Sequence, residues 1–197
     1  MASGRVVGFL NVDDFYAPAV LNRIVGIFDG LPEPSFVLGN CKVFGDGDIL
    51  IYHNRPRRFG LVRLYCGHGR DDYDQAVFPV NPSAYFYHRS LHDKVGMFVL
   101  DQHQEMDTDF LLRAVRVAKI RYYDEHWGNQ RLVEGTKTLR ALQNGSLPEI
   151  VRRTIKENFG RLPWYLRLAI IAQWRSMLLV HATRVFWGGI KRSLSFK

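Results

Sequence analysis

Cysteine is scarce in this chain. Two residues, Cys41 and Cys66, stand among 197, too few for a disulfide framework, so a reducing compartment (cytoplasm or nucleus) is expected. The opening MASGRVVGFLNVDD has one arginine and an apolar run cut short by Asp13. That fits neither a secretory signal nor a transit peptide, and secretion is not expected. Repeats, low-complexity tracts and flexible linkers are missing as well, and with 47% hydrophobic and 13% aromatic residues disorder is excluded. The chain holds no Gly-x-x-x-x-Gly-Lys-Ser/Thr loop, no Gly-x-Ser-x-Gly elbow and no His-Glu-x-x-His, so the commonest phosphate-cradling, serine-hydrolase and zinc-peptidase signatures are absent.

Acid is also missing where base is plentiful. Residues 151–197 carry ten Lys/Arg against one acid, Glu157, whereas residues 1–150 are nearly balanced, and the whole chain is +8. Such asymmetry is expected of an anion-binding surface. Three segments supply it: Arg55, Arg57 and Arg58 beside Phe59; Arg152, Arg153, Lys156 and Arg161; and Lys191 and Arg192 near the end. With aromatic side chains available for stacking, these residues point to RNA or another polyanion as partner.

Strand-like segments precede helix-like ones. CKVFGDGDILIYH is a hairpin signal around Gly45–Asp48, and RFGLVRLYC, SAYFYHRS and KVGMFVLDQ read as further strands. YAPAVLNRIVGIFDG reads as a short helix ending at Gly30. From Asp107 the period becomes helical: DTDFLLRAVRVAKIRYYDEHW, NQRLVEGTKTLRALQNG, SLPEIVRRTIKENFG and a long last segment from Pro163 to Trp187. The expectation is a single α+β domain over 1–197: a mostly antiparallel N-terminal sheet with one early helix (1–105), covered by a basic layer of about four helices (106–197).

The stretch LNVDDFYAPAV resembles the opening motif of Y-family DNA polymerases, in which a strand runs into Asp-hydrophobic-Asp-x-Phe-Phe/Tyr-Ala. The resemblance implies a metal-binding Asp where this chain has Asn11 and a ribonucleotide-excluding aromatic at Tyr16. Asn11 is a neutral, weak ligand, and the second motif of that family has only Ser90-Leu91-His92-Asp93 as a counterpart. The residues by themselves favour another reading, in which Asp13 or Asp14 caps a helix starting near Phe15.

Cys66, His68, His88 and His92 could together hold zinc, two ligands from each of two segments; no other cofactor is implied. The last segment has 17 apolar residues among the 24 from Trp164 to Trp187, but Arg167, Arg175 and Arg184 interrupt it, which disfavours a spanning helix. A mostly buried helix packed on the sheet is expected. The leading functional expectation is a non-enzymatic accessory protein, of a kind viruses encode, that binds RNA through its C-terminal arginines. A peripheral membrane or matrix-type protein, using the last helix and basic tail on anionic lipid, is the first alternative. A small zinc- or cysteine-dependent enzyme centred on Cys66 is the second. A second copy of the chain or another protein is a further conceivable partner.

Overall fold

The computed structural model describes residues 3–66, 78–99 and 106–194. Its centre is β3 (Ser35–Phe44), buried along nearly its whole length. A strand covered on both faces reads as a continuous apolar run, as SFVLGNCKVF does. One edge of β3 is shared in sequence by β5 (Tyr85–His88) and β4 (Leu50–Asn54), both antiparallel to it, while the opposite edge is taken by β6 (Lys119–Arg131), which runs parallel. Outside these, β1 (Val6–Gly8) pairs β5 and β2 (Phe15–Tyr16) pairs β6, both antiparallel. The main path is therefore β1-β5-β3-β6-β2. The fold is α+β with a mostly antiparallel sheet, in agreement with the sequence pattern.

Alternation along the strands sends side chains to two layers. On one face Val37, Phe86 and Trp127 meet Val20, Ile24, Ile27 and Phe28 of helix α1 (Val20–Asp29). Burying each such side chain contributes roughly 1.5–3 kcal/mol, enough to fix a ten-residue helix that is marginal alone. On the other face Val7, Phe36, Leu38, Tyr85 and Tyr87 meet the larger helical layer. That layer contains α2 (Leu61–Cys66), α4 (Met106–Ala114), α6 (Leu147–Gly160) and the start of α7 (Trp164–Leu194). Short α3 (Leu91–Val95) and α5 (Lys137–Gln143) complete the described helices.

Several local expectations are corrected. RFGLVRLYC is not a strand: Leu61, Leu64 and Tyr65 pack at helical spacing, and Leu61–Cys66 is α2. KVGMFVLDQ is not a strand where it is described, because α3 ends at Val95 and Gly96 follows with φ 80°, a left-handed conformation that suits glycine. The segment read as one helix from Asp107 to Trp127 splits: α4 ends at Ala114 and β6 begins at Lys119. β6 also takes the first residues of NQRLVEGTKTLRALQNG, leaving α5 only Lys137–Gln143. Finally, α7 lies against α2 rather than on the sheet. Ile170 is buried, whereas Trp164, Tyr165, Leu168 and Leu179 are exposed. No helix among the described residues is long and apolar enough to cross a membrane.

Candidate functional site

Asp14 does not cap a helix. Helix α1 begins six residues later, at Val20, after Ala19 in a left-handed conformation (φ 61°, ψ 4°), and it has neither a side-chain cap nor an acid in its first turn. Phe15 and Tyr16 are strand instead. The Asp14 carboxylate is buried and receives three hydrogen bonds. Asn11 Nδ2 and Asn81 Nδ2 each donate to Oδ2 at 2.7 Å, and the Arg131 backbone N–H donates to Oδ1 at 3.1 Å. Asn81 Oδ1 in turn accepts from the Ser83 N–H at 2.8 Å, fixing the turn over Pro82–Ala84. Asp14 thus ties the loop after β1 to the entry of β5 and the end of β6.

That anchoring leaves the neighbouring acid available. Asp13 is half-buried, and among the described residues no hydrogen bond or ion pair engages it. It lies in the loop that follows edge strand β1. Phe9, in the same loop, packs on Tyr87 (ring centroids 6.4 Å apart) and edge-on to Phe98 (5.1 Å). Phe98 then packs on Phe110 of α4 (4.5 Å). An aromatic chain therefore joins the Asp13 loop to the helix that carries a second pair of acids, Asp107 and Asp109.

Environment separates that pair. Asp109 is buried and saturated, accepting from Arg113 Nε at 2.8 Å and Asn158 Nδ2 at 3.0 Å, so it pins α4 to α6. Arg113 also donates to the carbonyls of Val95, Gly96 and Met97, clamping the segment after α3 against α4. Asp107 lies in the first turn of α4 and makes none of these bonds. Desolvation raises its carboxyl above the ordinary carboxylate range. The phenols of Tyr85 and Tyr87 are raised too, by burial first and by the charge of Asp107 second. The Tyr85 hydroxyl is buried and has no hydrogen-bond partner among the described residues. A carboxyl raised above the ordinary carboxylate range takes up a proton more readily than an ordinary aspartate.

The expected zinc ligands do not assemble. His88 sits on β5 facing α1, with its ring edge-on to Phe28 at 4.7 Å and Nδ1 accepting from the Ser35 N–H at 3.0 Å. His92 lies on the other face, between Tyr87, Phe98 and Phe110. The sheet therefore separates these two rings. Cys66 ends α2, burial pushes its thiol up, and His68 lies outside the described residues. Among the described residues no group of three or more histidines, cysteines or acids could hold a metal ion.

Burial lowers the pKa of both His88 and His126. The unfolded chain, with histidine pKa about 6.5, then binds protons that the folded chain refuses, so stability is full above that pH and falls as pH drops through the lowered values. Urea midpoints should decrease from pH 7.5 to pH 5. A midpoint that rises over that interval contradicts this assignment.

The basic residues lie in three segments of the chain. Arg57 is paired with Asp124 at 2.5 Å, and Arg55 and Arg58 flank it in the same loop. Arg152 lies 3.5 Å from Glu149 on α6, where Arg153 and Lys156 are also exposed, and Arg161 follows that helix. Lys191 and Arg192 fall in the last turns of α7, with side chains outside the described set.

No protein-family model matches the chain. It is similar to a curated protein described as "Uncharacterized glycosyltransferase YwdF" of Bacillus subtilis (strain 168), with 28% identity over 121 residues, 61% of this chain. The chain's match spans 42% of that relative's length. Likeness to a glycosyltransferase overturns the non-enzymatic readings, both the RNA-binding accessory protein and the matrix-type membrane protein, together with the viral origin.

Proposed function

We propose that this chain transfers a glycosyl group from a phosphate-activated sugar donor to an acceptor hydroxyl. The observation that carries the reading is the similarity to the Bacillus glycosyltransferase. The acidic loop 9–14 and Asp107 supply groups suited to the chemistry. Asp13, which no described residue engages, would be the carboxylate that holds a divalent cation together with substrate phosphate and water. Hard cations of the Mg²⁺ type need only one or two carboxylates when substrate phosphates and water complete the shell. Such a cation would neutralise the departing phosphate. Asp107 takes the proton from the acceptor hydroxyl as its oxygen bonds to the anomeric carbon and the bond from that carbon to the phosphate oxygen breaks. A base with a raised pKa holds that proton better than an ordinary carboxylate.

The test incubates the chain with a panel of nucleotide-activated sugars and Mn²⁺, and measures release of the nucleoside diphosphate. Release should rise with pH through the raised pKa of Asp107, because only the ionised carboxylate accepts a proton. Asp107→Asn should remove that acidic limb and slow release by about 10²–10⁴-fold. Failure of every donor to bind or turn over, with the chain folded, would rule the reading out.

A further inference from the structure

Three basic side chains come together along the second half of β3. Lys42 stands directly opposite His53 of β4 and Asn129 of β6, while Asn40, two residues earlier on the same face, stands opposite His126. The pairing of β3 with β6 shifts register on both sides of Asn40. In a regular strand residues 126 and 129, three apart, would point to opposite faces. The extra residue, Trp127, turns them to the same one, and His126 Nε2 meets Asn129 Oδ1 at 2.9 Å. Asn129 spends its own amide on the Phe15 carbonyl at 3.2 Å, so its oxygen accepts and His126 Nε2 carries the hydrogen.

Lys42, His53 and His126 are all half-buried, and the Lys42 and His53 side chains make no hydrogen bond or ion pair with a described residue. Burial first, and then the charges of Lys42 and His53, disfavour the protonated form of His126. Like charges directly across a strand pair repel, so the grouping is unfavourable unless a negative group lies among them. Among the described residues no acid pairs with the three. Asp124, on the same bulged strand, is already taken by Asn40, Tyr122 and Arg57. We propose that Lys42, His53 and His126 bind the phosphoryl group of a small phosphorylated molecule. Donors from three adjacent strands suit a tetrahedral oxyanion better than a carboxylate with two oxygens, and lysine meets phosphate as a point charge. Three residues at one place fit one phosphoryl group rather than the repeating phosphates of a nucleic acid.

Titration of the full chain with inorganic phosphate, glucose 1-phosphate and uridine diphosphate tests the inference without turnover. EDTA is present throughout, which removes any binding that a cation at Asp13 would mediate, and ionic strength is matched with chloride. The ring signals of His53 and His126 are followed by NMR and assigned with His53→Gln and His126→Gln. Both rings should shift along one saturating curve with at least one of the three compounds. Lys42→Gln should weaken that binding at least about tenfold, His53→Gln should weaken it as well, and Lys42→Arg should retain it. The compound that binds tightest identifies the source of the phosphoryl group. Rings that respond to none of the three beyond the chloride control overturn the inference, as does an affinity that Lys42→Gln and His53→Gln both leave untouched. Donor turnover is measured separately, so its failure counts against glycosyl transfer and not against this site.

Discussion

Asp14→Ala should lower stability by about 3 kcal/mol, because it removes the buried acceptor that three donors share and leaves the buried Asn81 amide without it. Those donors are the Asn11 and Asn81 side-chain amides and the Arg131 backbone N–H. Replacement by asparagine is no remedy. Both carboxylate oxygens accept, so an amide would turn its NH₂ toward either Arg131 N–H or the two asparagine donors. Asp14→Asn should therefore also lose stability, and either variant should melt roughly 10 °C or more below the parent. Asp13 is the control. With no partner among the described residues, Asp13→Ala should change stability by less than about 0.5 kcal/mol, yet slow donor turnover by about 10²-fold or more if the carboxylate holds the cation. Urea denaturation and turnover measured on the two alanine variants would separate anchor from ligand. The pattern fails if Asp14→Asn is as stable as the parent.

Gly128→Ala is expected to be nearly as damaging, for a steric reason. Gly128 pairs with Cys41 and Tyr16 in the sheet and lies under the turn at Ser83. A Cβ there would stand 2.2 Å from Ser83 Oγ and 2.7 Å from the Ser83 carbonyl carbon and oxygen. Backbone cannot rotate aside as a long side chain can, so the turn must lift off the sheet at a cost of about 3 kcal/mol. Ser83→Ala in the same chain should rescue little, since two of the three close atoms are main chain. Gly26 offers the opposite case. It is exposed within α1, with nothing inside 4 Å of an added Cβ, and Gly26→Ala should stabilise by about 0.5–1 kcal/mol. Equal melting temperatures for Gly128→Ala and the parent would contradict the close approach.

Local signals were legible where local physics decides. The hairpin around Gly45–Asp48 formed as read, α1 stopped at Gly30, and Pro148 opened α6 in its first turn. Signals failed where a distant partner overrode them. Residues 119–127 read as a helical continuation, yet they alternate Lys119 and Arg121 outward with Ile120 and Tyr122 partly buried. Only the open edge of β3 turns that alternation into a strand. Asp13–Asp14 looked like a helix cap because the partners that define Asp14 lie 67 and 117 positions away. One arginine pairing was equally out of local reach. Arg57 is paired with Asp124 across 67 positions. Asp107 was read only as a helix start, and nothing within its own segment distinguishes it from Asp109.

The 117-residue reach from Asp14 to Arg131 also sets an order of events during synthesis. The acidic loop is made early, but its last hydrogen bond needs the end of β6, and β6 can pair with β3 only after everything between Phe44 and Lys119 has been made. Parallel pairing across so long an interval is slow relative to hairpins. The loop therefore reaches its final geometry late, after α1 and the β3–β4 hairpin have formed locally. Chains cut short of Arg131 would carry the acids without the scaffold that assigns each its role.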